Sequence, residues 1–353
     1  MFAWRRIRST RFSPESPDEG WARAGMIAIA IALLLLAFAS LAIGRYPLSL
    51  KTVMDSLKDG VTGGTQAPPM AQTVVLAVRL PRIIAAVMIG AGLAMAGSAY
   101  QSLFRNPMAS PALLGVSAGA GFGAALALLF RQPYLVVQAA SFLCGLATVA
   151  LAFLVNWLIG GRSIVTLVLC GMVFSALFQA LISILEYVAD PLDVLPAIAF
   201  WLMGSLAKTD AREALSVSLA VFLCGSILYL NRWRIHLLGL GDEEAAALGL
   251  DIGRTKILVI ACATLMSSAT VSVGGIIGWV GLLVPHLARI LFGMEPARLI
   301  PATALLGGLF LLGVDDMARS MTAVEIPIGV LTAVVGTPFF LLLLLHARHG
   351  HWA

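Results

Sequence analysis

Runs of about twenty consecutive apolar residues follow one another along almost the whole chain, and they constrain its fold more than any other feature. The hydrocarbon core of a bilayer is about 30 Å thick, so a helix needs roughly 20 mostly apolar residues to cross it. Stretches of this kind lie at about 26–43, 82–103, 111–130, 134–159, 164–188, 214–230, 255–273, 276–292, 299–314 and 328–345. They are continuous and rich in Leu, Ala, Val, Ile and Gly, whereas the strands of a membrane barrel alternate over about ten residues. With no water inside the bilayer to satisfy the backbone, such runs close their hydrogen bonds as helices. The expected fold is all-α, a polytopic membrane protein of about ten transmembrane helices.

Composition agrees: 60% of the 353 residues are hydrophobic and 12% charged, which excludes a water-soluble chain and leaves no room for a large soluble domain. The expected organisation is a cytoplasmic N-terminal segment at 1–24, one transmembrane domain at 25–346 and a cytoplasmic tail at 347–353. Arg5, Arg6, Arg8, Arg11 and Arg23 precede the first apolar run, as in a signal sequence. That run is longer than an h-region of about 7–15 residues, so it is expected to remain as the first span. With the N-terminus inside, ten spans bring the C-terminus back to the same side. Lys and Arg then number 14 inside and 9 outside, in the sense of the positive-inside rule. The net charge of +5 is therefore a topology signal and not a nucleic-acid surface.

Several functions lack their chemistry. Cys144, Cys170, Cys224 and Cys262 stand singly within apolar segments, as packing residues do. His236, His286, His346, His349 and His351 fall in or near connections on the cytoplasmic side, so they form no chain of metal ligands along a pore. No nucleophile with a base and no H-E-x-x-H motif is present for a membrane enzyme. The span interiors are nearly free of Asp, Glu, Lys and Arg, which an ion-coupled secondary transporter would need for its relay. No G-x-x-x-x-G-K-[ST] loop occurs either, so ATP-driven transport would need a separate ATPase subunit to bind ATP and Mg, with no cofactor and no metal site in this chain.

Two connections are long. The outer one, about 46–80, contains a turn-rich stretch at 60–69 that is expected to be irregular. The inner one, about 231–254, has Asp242, Glu243 and Glu244 before three alanines and then Gly249, the pattern of a short surface helix. It is either a solvated linker or a docking element for a cytoplasmic partner. Small residues recur at helix-packing spacing in Gly115, Gly119 and Gly123 and in Gly90, Ala94 and Ser98. Pro81, Pro107, Pro111, Pro285 and Pro338 mark helix starts or kinks. His286 and Arg289 are expected to be structural.

Seven strings stand in a fixed order: RLPR at 79–82, QSLFRNPMASPALLGVSAGAG at 101–121, FWLMGSLA at 200–207, LGLDIGRTK at 248–256, GIIGWVGLLVPHLAR at 275–289, DDMAR at 315–319 and EIPIGVLTAVVGTPFF at 325–340. Together they resemble the permeases of the iron-chelate and cobalamin ABC importers, the FecCD family, over nearly the whole chain. The resemblance implies the type II ABC importer permease fold in a bacterial inner membrane. It also implies a second permease copy, two cytoplasmic ATPase subunits and a periplasmic substrate-binding protein.

The resemblance implies roles for particular residues as well. Arg79, Arg82 and Arg319 match positions that meet acidic residues of the binding protein, where guanidinium groups make charge-assisted pairs with carboxylates. Interfacial snorkelling is the other reading of these arginines. The loop at 241–249 matches the coupling helices, which makes Glu244, Ala247, Leu248 and Gly249 the expected ATPase contacts. The translocation pathway follows the fifth span and the short external helix after it. Ser175, Gln179, Ser183 and Glu186 are spaced at i, i+4, i+8 and i+11 on one helical face there, either lining that pathway or hydrogen-bonding between helices. The expected cargo is a metal chelate, a ferric siderophore before haem, cobalamin or molybdate, carried by alternating access.

Overall fold

A computed structural model describes residues 19–160, 164–322 and 324–347, and among these every regular element is helical. The N-terminal arginines Arg5, Arg6, Arg8 and Arg11 and the histidines His349 and His351 lie outside the described residues. Seven helices are long and apolar enough to cross a bilayer and three more are apolar but shorter, so ten transmembrane segments can be assigned among the described residues.

The first is α1 (Glu19–Ala42), followed by the amphipathic α2 (Leu50–Thr62). Ser49 caps α2 by accepting from the Thr52 amide, and Gly63 ends it with a left-handed φ of 70°. The helix thus runs through Gly60, and only 63–68 of the turn-rich stretch is irregular. Asp59 holds that bend, its carboxylate accepting from the Ala67 amide at 2.7 Å.

A 35-residue helical rod follows, made of α3 (Pro69–Thr73), a π-helical stretch (Val74–Arg79) and α4 (Leu80–Leu103). It is the axis of the fold, because small residues let other helices approach its backbone. Gly90 faces Gly307 and Gly97 faces Gly281 so closely that a Cβ at either position would overlap the opposite carbonyl. Of the alternation noted in the sequence, Gly119 and Gly123 do the same for α5 (Val116–Leu129) against α6 (Tyr134–Leu158).

Next come α7 (Ile164–Val188), α8 (Val194–Leu202) and α9 (Ala211–Leu230), the last opened by a capping box between Asp210 and Glu213. The inner connection folds as two short helices, α10 (Arg232–Leu240) and α11 (Asp242–Ala247), before α12 (Ile252–Gly274). Sequence pattern pointed to α11 alone; α10 carries Arg232, Trp233, Arg234 and His236 and no clear stripe.

The chain ends with α13 (Val280–Phe292), α14 (Pro296–Ser320) and α15 (Ile328–Ala347). In the most apolar window of α12, 78% of residues are buried, against 11% for α1, which puts α12 at the centre and α1 at the rim.

Two spans differ from the expected uniform helices. The third opens with a 3-10 turn (Pro111–Leu114) and Gly115 at φ 82°, and the eighth begins only at Val280, after Trp279 at φ 68°. Left-handed backbone costs a tryptophan energy, and the surrounding packing holds it there. The ninth span runs on from Val314 to Ser320, because Asp315, Asp316 and Arg319 pair internally instead of ending the helix.

Candidate functional site

At the end of the bundle where α4 starts and α14 stops, a charge network is buried. Arg82 lies three residues after Arg79 on the same face of the rod. Its Nε donates to Asp315 Oδ1 and Oδ2 at 3.0 and 3.1 Å, and its Nη2 donates to Oδ1 at 2.8 Å. The other edge of the fork reaches Glu325, with Nη1 to Oε1 and Nη2 to Oε2 both at 3.0 Å. Arg319 pairs with Asp316 and donates to the Ser40 carbonyl at 2.8 Å, while Ser40 Oγ donates to Asp316 Oδ2 at 2.5 Å. Arg79 donates to the carbonyls of Leu41 and Tyr46 at 2.6 and 2.5 Å.

Arg79, Arg82 and Arg319, the expected docking residues, are turned inward in this structure. All three are buried, and each guanidinium is aimed at carboxylates or carbonyls of its own chain. A buried cation is stable only when paired, and here the chain's own acids and backbone supply the pairs. The network ties α1, α4, α14 and the segment before α15 together. Among the cations exposed on this side, one group stands on and beside α2. Lys51, Met54, Lys58 and Val61, at i, i+3, i+7 and i+10, form an exposed stripe opposite buried Val53, Ser56 and Asp59, with exposed Arg45 nearby.

Near the same end, three of the sequence strings meet through their backbones. The Ser205 amide donates to the Gly274 carbonyl at 2.9 Å, the Ile328 amide to Gly204 at 2.9 Å and the Gly329 amide to Met203 at 3.1 Å. A Cβ on Gly329 would run into the carbonyls of Met203 and Ile276. FWLMGS, GGII and PIG therefore share one junction, which spacing along the chain gave no means of finding.

Of the four pathway candidates on α7, Gln179 and Ser183 are exposed one turn apart, and Glu186 is half-buried. Ser175 packs beside Gly115 and donates to the Gly171 carbonyl of its own helix at 2.8 Å. The structure brings Gln179 and Ser183 together on the open face of α7 and turns Ser175 away from it.

At the opposite end, α11 places Glu244, Ala247, Leu248 and Gly249 on one exposed turn. The Leu250 amide closes that turn on the Ala245 carbonyl at 3.0 Å, Gly249 takes the left-handed φ of 81°, and Asp242 is held to Lys256 at 2.6 Å. Leu248 is 62% exposed, an apolar side chain offered to solvent on a small surface. Beside this turn lies a cavity of about 530 Å³ between α4, α10, α13 and α14.

The model of the FecCD transport family matches residues 32–346. A molybdate import system permease, MolB of Haemophilus influenzae, is 40% identical over 92% of this chain and 96% of its own length. An iron chelatin transport system permease of Helicobacter pylori is 35% identical over 91% of this chain and 98% of its own. Among solved structures, an inward-facing conformation of a metal-chelate type ABC transporter superposes with a TM-score of 0.83 at 39% identity, covering 92% of this chain and 99% of that one.

Proposed function

This chain belongs to the FecCD transport family and is the multi-pass permease subunit of an ABC importer whose ATP hydrolysis is done by a separate ATPase; from that premise we propose that its cargo is a pre-formed metal chelate, a ferric siderophore first among them. The observation that carries this reading is the open face of α7. The two polar groups exposed there, the Gln179 amide and the Ser183 hydroxyl, are neutral and set among aliphatic side chains, and the single carboxylate of the face, Glu186, is half-buried at its end. Such a face can pass a cargo already wrapped in its own donor atoms, whereas a bare transition metal would call for imidazole, thiolate or carboxylate ligands. Molybdate is the second reading, favoured by the 40% identical relative named for it.

Transport in this proposal is alternating access by a pair of permease copies in the bacterial inner membrane, both termini on the cytoplasmic side. ATP binding closes the ATPases, and the turn at Glu244, Ala247, Leu248 and Gly249 carries that motion into the bundle through α10 and α12. The work is a shift of population between inward-open and outward-open states. Docking of the substrate-binding protein falls to the exposed stripe of α2, where Lys51 and Lys58 offer cations and Met54 and Val61 apolar contact.

The test is uptake into liposomes containing this chain with its ATPase and binding protein, offered ferric siderophores, haem, cobalamin and molybdate in turn. ATP-dependent uptake of a ferric siderophore supports the first reading and uptake of molybdate alone the second. ATP-independent uptake driven by an ion gradient would overturn the importer mechanism.

A further inference from the structure

The cavity beside the coupling turn has a chemical character that neither the transport path nor the ATPase contact requires. Its volume of about 530 Å³ lies within the range of roughly 300–1,000 Å³ typical of small-molecule sites. Most of its wall is aliphatic, from Ile235, Leu240, Ile290 and Leu299, and its ionisable lining residues are all basic. Exposed Arg105 and half-buried Arg289 line it together with His236 and His286.

Two buried polar atoms of the lining residues lack a partner: Arg289 Nη2, a donor, and Gln101 Oε1, an acceptor. Gln101 is 2% exposed, and its amide nitrogen lies 3.4 Å from the carbonyls of Gly281 and Leu282, which fixes the side chain and leaves the oxygen free. Buried polar atoms are nearly always bonded, so two that are not, on residues lining one cavity, point to something that supplies both partners. Arg105 is held in position by the loop, with a left-handed φ of 48° in the turn that Asn106 stabilises by accepting from the Met108 amide at 2.9 Å. Glu244 approaches Arg105 across Gly241, so the half-buried Arg289 makes the greater demand for negative charge.

We infer that this cavity binds a tetrahedral oxyanion of the phosphate class, one that also carries a hydroxyl. The anionic oxygens would accept from Arg289 and Arg105, and the hydroxyl would donate to Gln101 Oε1. Aliphatic walls open beside Ile290 and Met294, 58% and 78% exposed, leave space for a hydrocarbon chain attached to the anion. The same chemistry is found in an anionic phospholipid headgroup and in free hydrogen phosphate, and the experiment separates these two sources.

The permease, purified in its assembled complex and stripped of lipid, is examined by native mass spectrometry against phosphatidylglycerol and phosphatidylcholine. Its thermal midpoint is measured in parallel with and without inorganic phosphate. Retention of phosphatidylglycerol at least about fivefold above phosphatidylcholine, lost in Arg289→Gln and in Arg105→Gln, is the result expected for a lipid headgroup; one abolished bidentate charged contact is worth about this factor or more. A rise in midpoint with inorganic phosphate, lost in the same variants, places a free anion in the site. Arg105 is exposed, so Arg105→Gln carries the test if Arg289→Gln does not fold. Equal retention of both lipids with no phosphate effect overturns the inference. So does a Met294→Cys thiol that the ATPase subunit alone shields from maleimide, which would make the cavity a protein contact.

Discussion

Replacing Arg82 by leucine removes both halves of a buried fork and leaves the Asp315 carboxylate, 0% exposed, without its main partner. Breaking a buried ion pair from one side costs about 3–5 kcal/mol, because the remaining charge keeps its desolvation penalty and loses its compensation. Two features place this site at the lower end. Arg319 Nε lies 3.9 Å from Asp315 Oδ2, too far for a hydrogen bond but near enough to offset part of the loss. Glu325, at 22% side-chain exposure, regains water when its partner goes. Arg82→Leu is therefore expected to lower stability by about 3 kcal/mol, and Glu325→Gln by about 1 kcal/mol or less. The double variant Arg82→Leu with Asp315→Leu, which removes both charges, should recover to within about 1 kcal/mol of the parent. Reversible unfolding of the purified chain in mixed micelles with rising SDS fraction supplies the free energies for the cycle. A loss under about 1 kcal/mol for Arg82→Leu, with uptake abolished only when the binding protein is present, would refute the reasoning and return Arg82 to the docking role.

Ala247→Trp adds bulk to the exposed turn after α11 and should reduce ATP-dependent uptake at least about tenfold, a contact loss of about 1.4 kcal/mol. The thermal midpoint of the isolated permease should stay unchanged; a midpoint that falls with uptake would mean that the turn is a structural cap. Charge reversal of Lys51 and Lys58 together should raise the binding-protein concentration for half-maximal uptake about tenfold or more at low salt, with the difference shrinking as salt screens it. Unchanged concentration dependence would exclude the α2 stripe as the docking surface. Gly97→Leu must push α4 off Gly281 and should cost at least about 1–3 kcal/mol, read as lost folded yield in detergent, while Leu→Ala at lipid-facing Leu34, 70% exposed, should leave yield unchanged.

The chain by itself determined the number of spans, their approximate ends and the family, because twenty apolar residues have one low-cost conformation in a bilayer and because strings such as RNPMASP and VPHLAR keep their order. It also marked the turn at Glu244 to Gly249, since acidic residues, alanines and a terminal glycine are local signals of a short helix. What it left undecided depends on which distant residue faces which. Arg79, Arg82 and Arg319 at the ends of apolar runs have the same sequence appearance whether they point at a partner or at Asp315, Glu325, Asp316 and the carbonyls of Ser40, Leu41 and Tyr46. Only the packing of α1 and α14 against α4 turned them inward. The same packing extended α14 past its two aspartates and brought Met203, Gly204, Gly274 and Gly329 into one backbone junction. Local pattern fixes helices because their hydrogen bonds close within a few residues; the Arg82 charge and the Gln101 amide are settled by groups 180 to 243 positions away, which only the assembled bundle brings within reach.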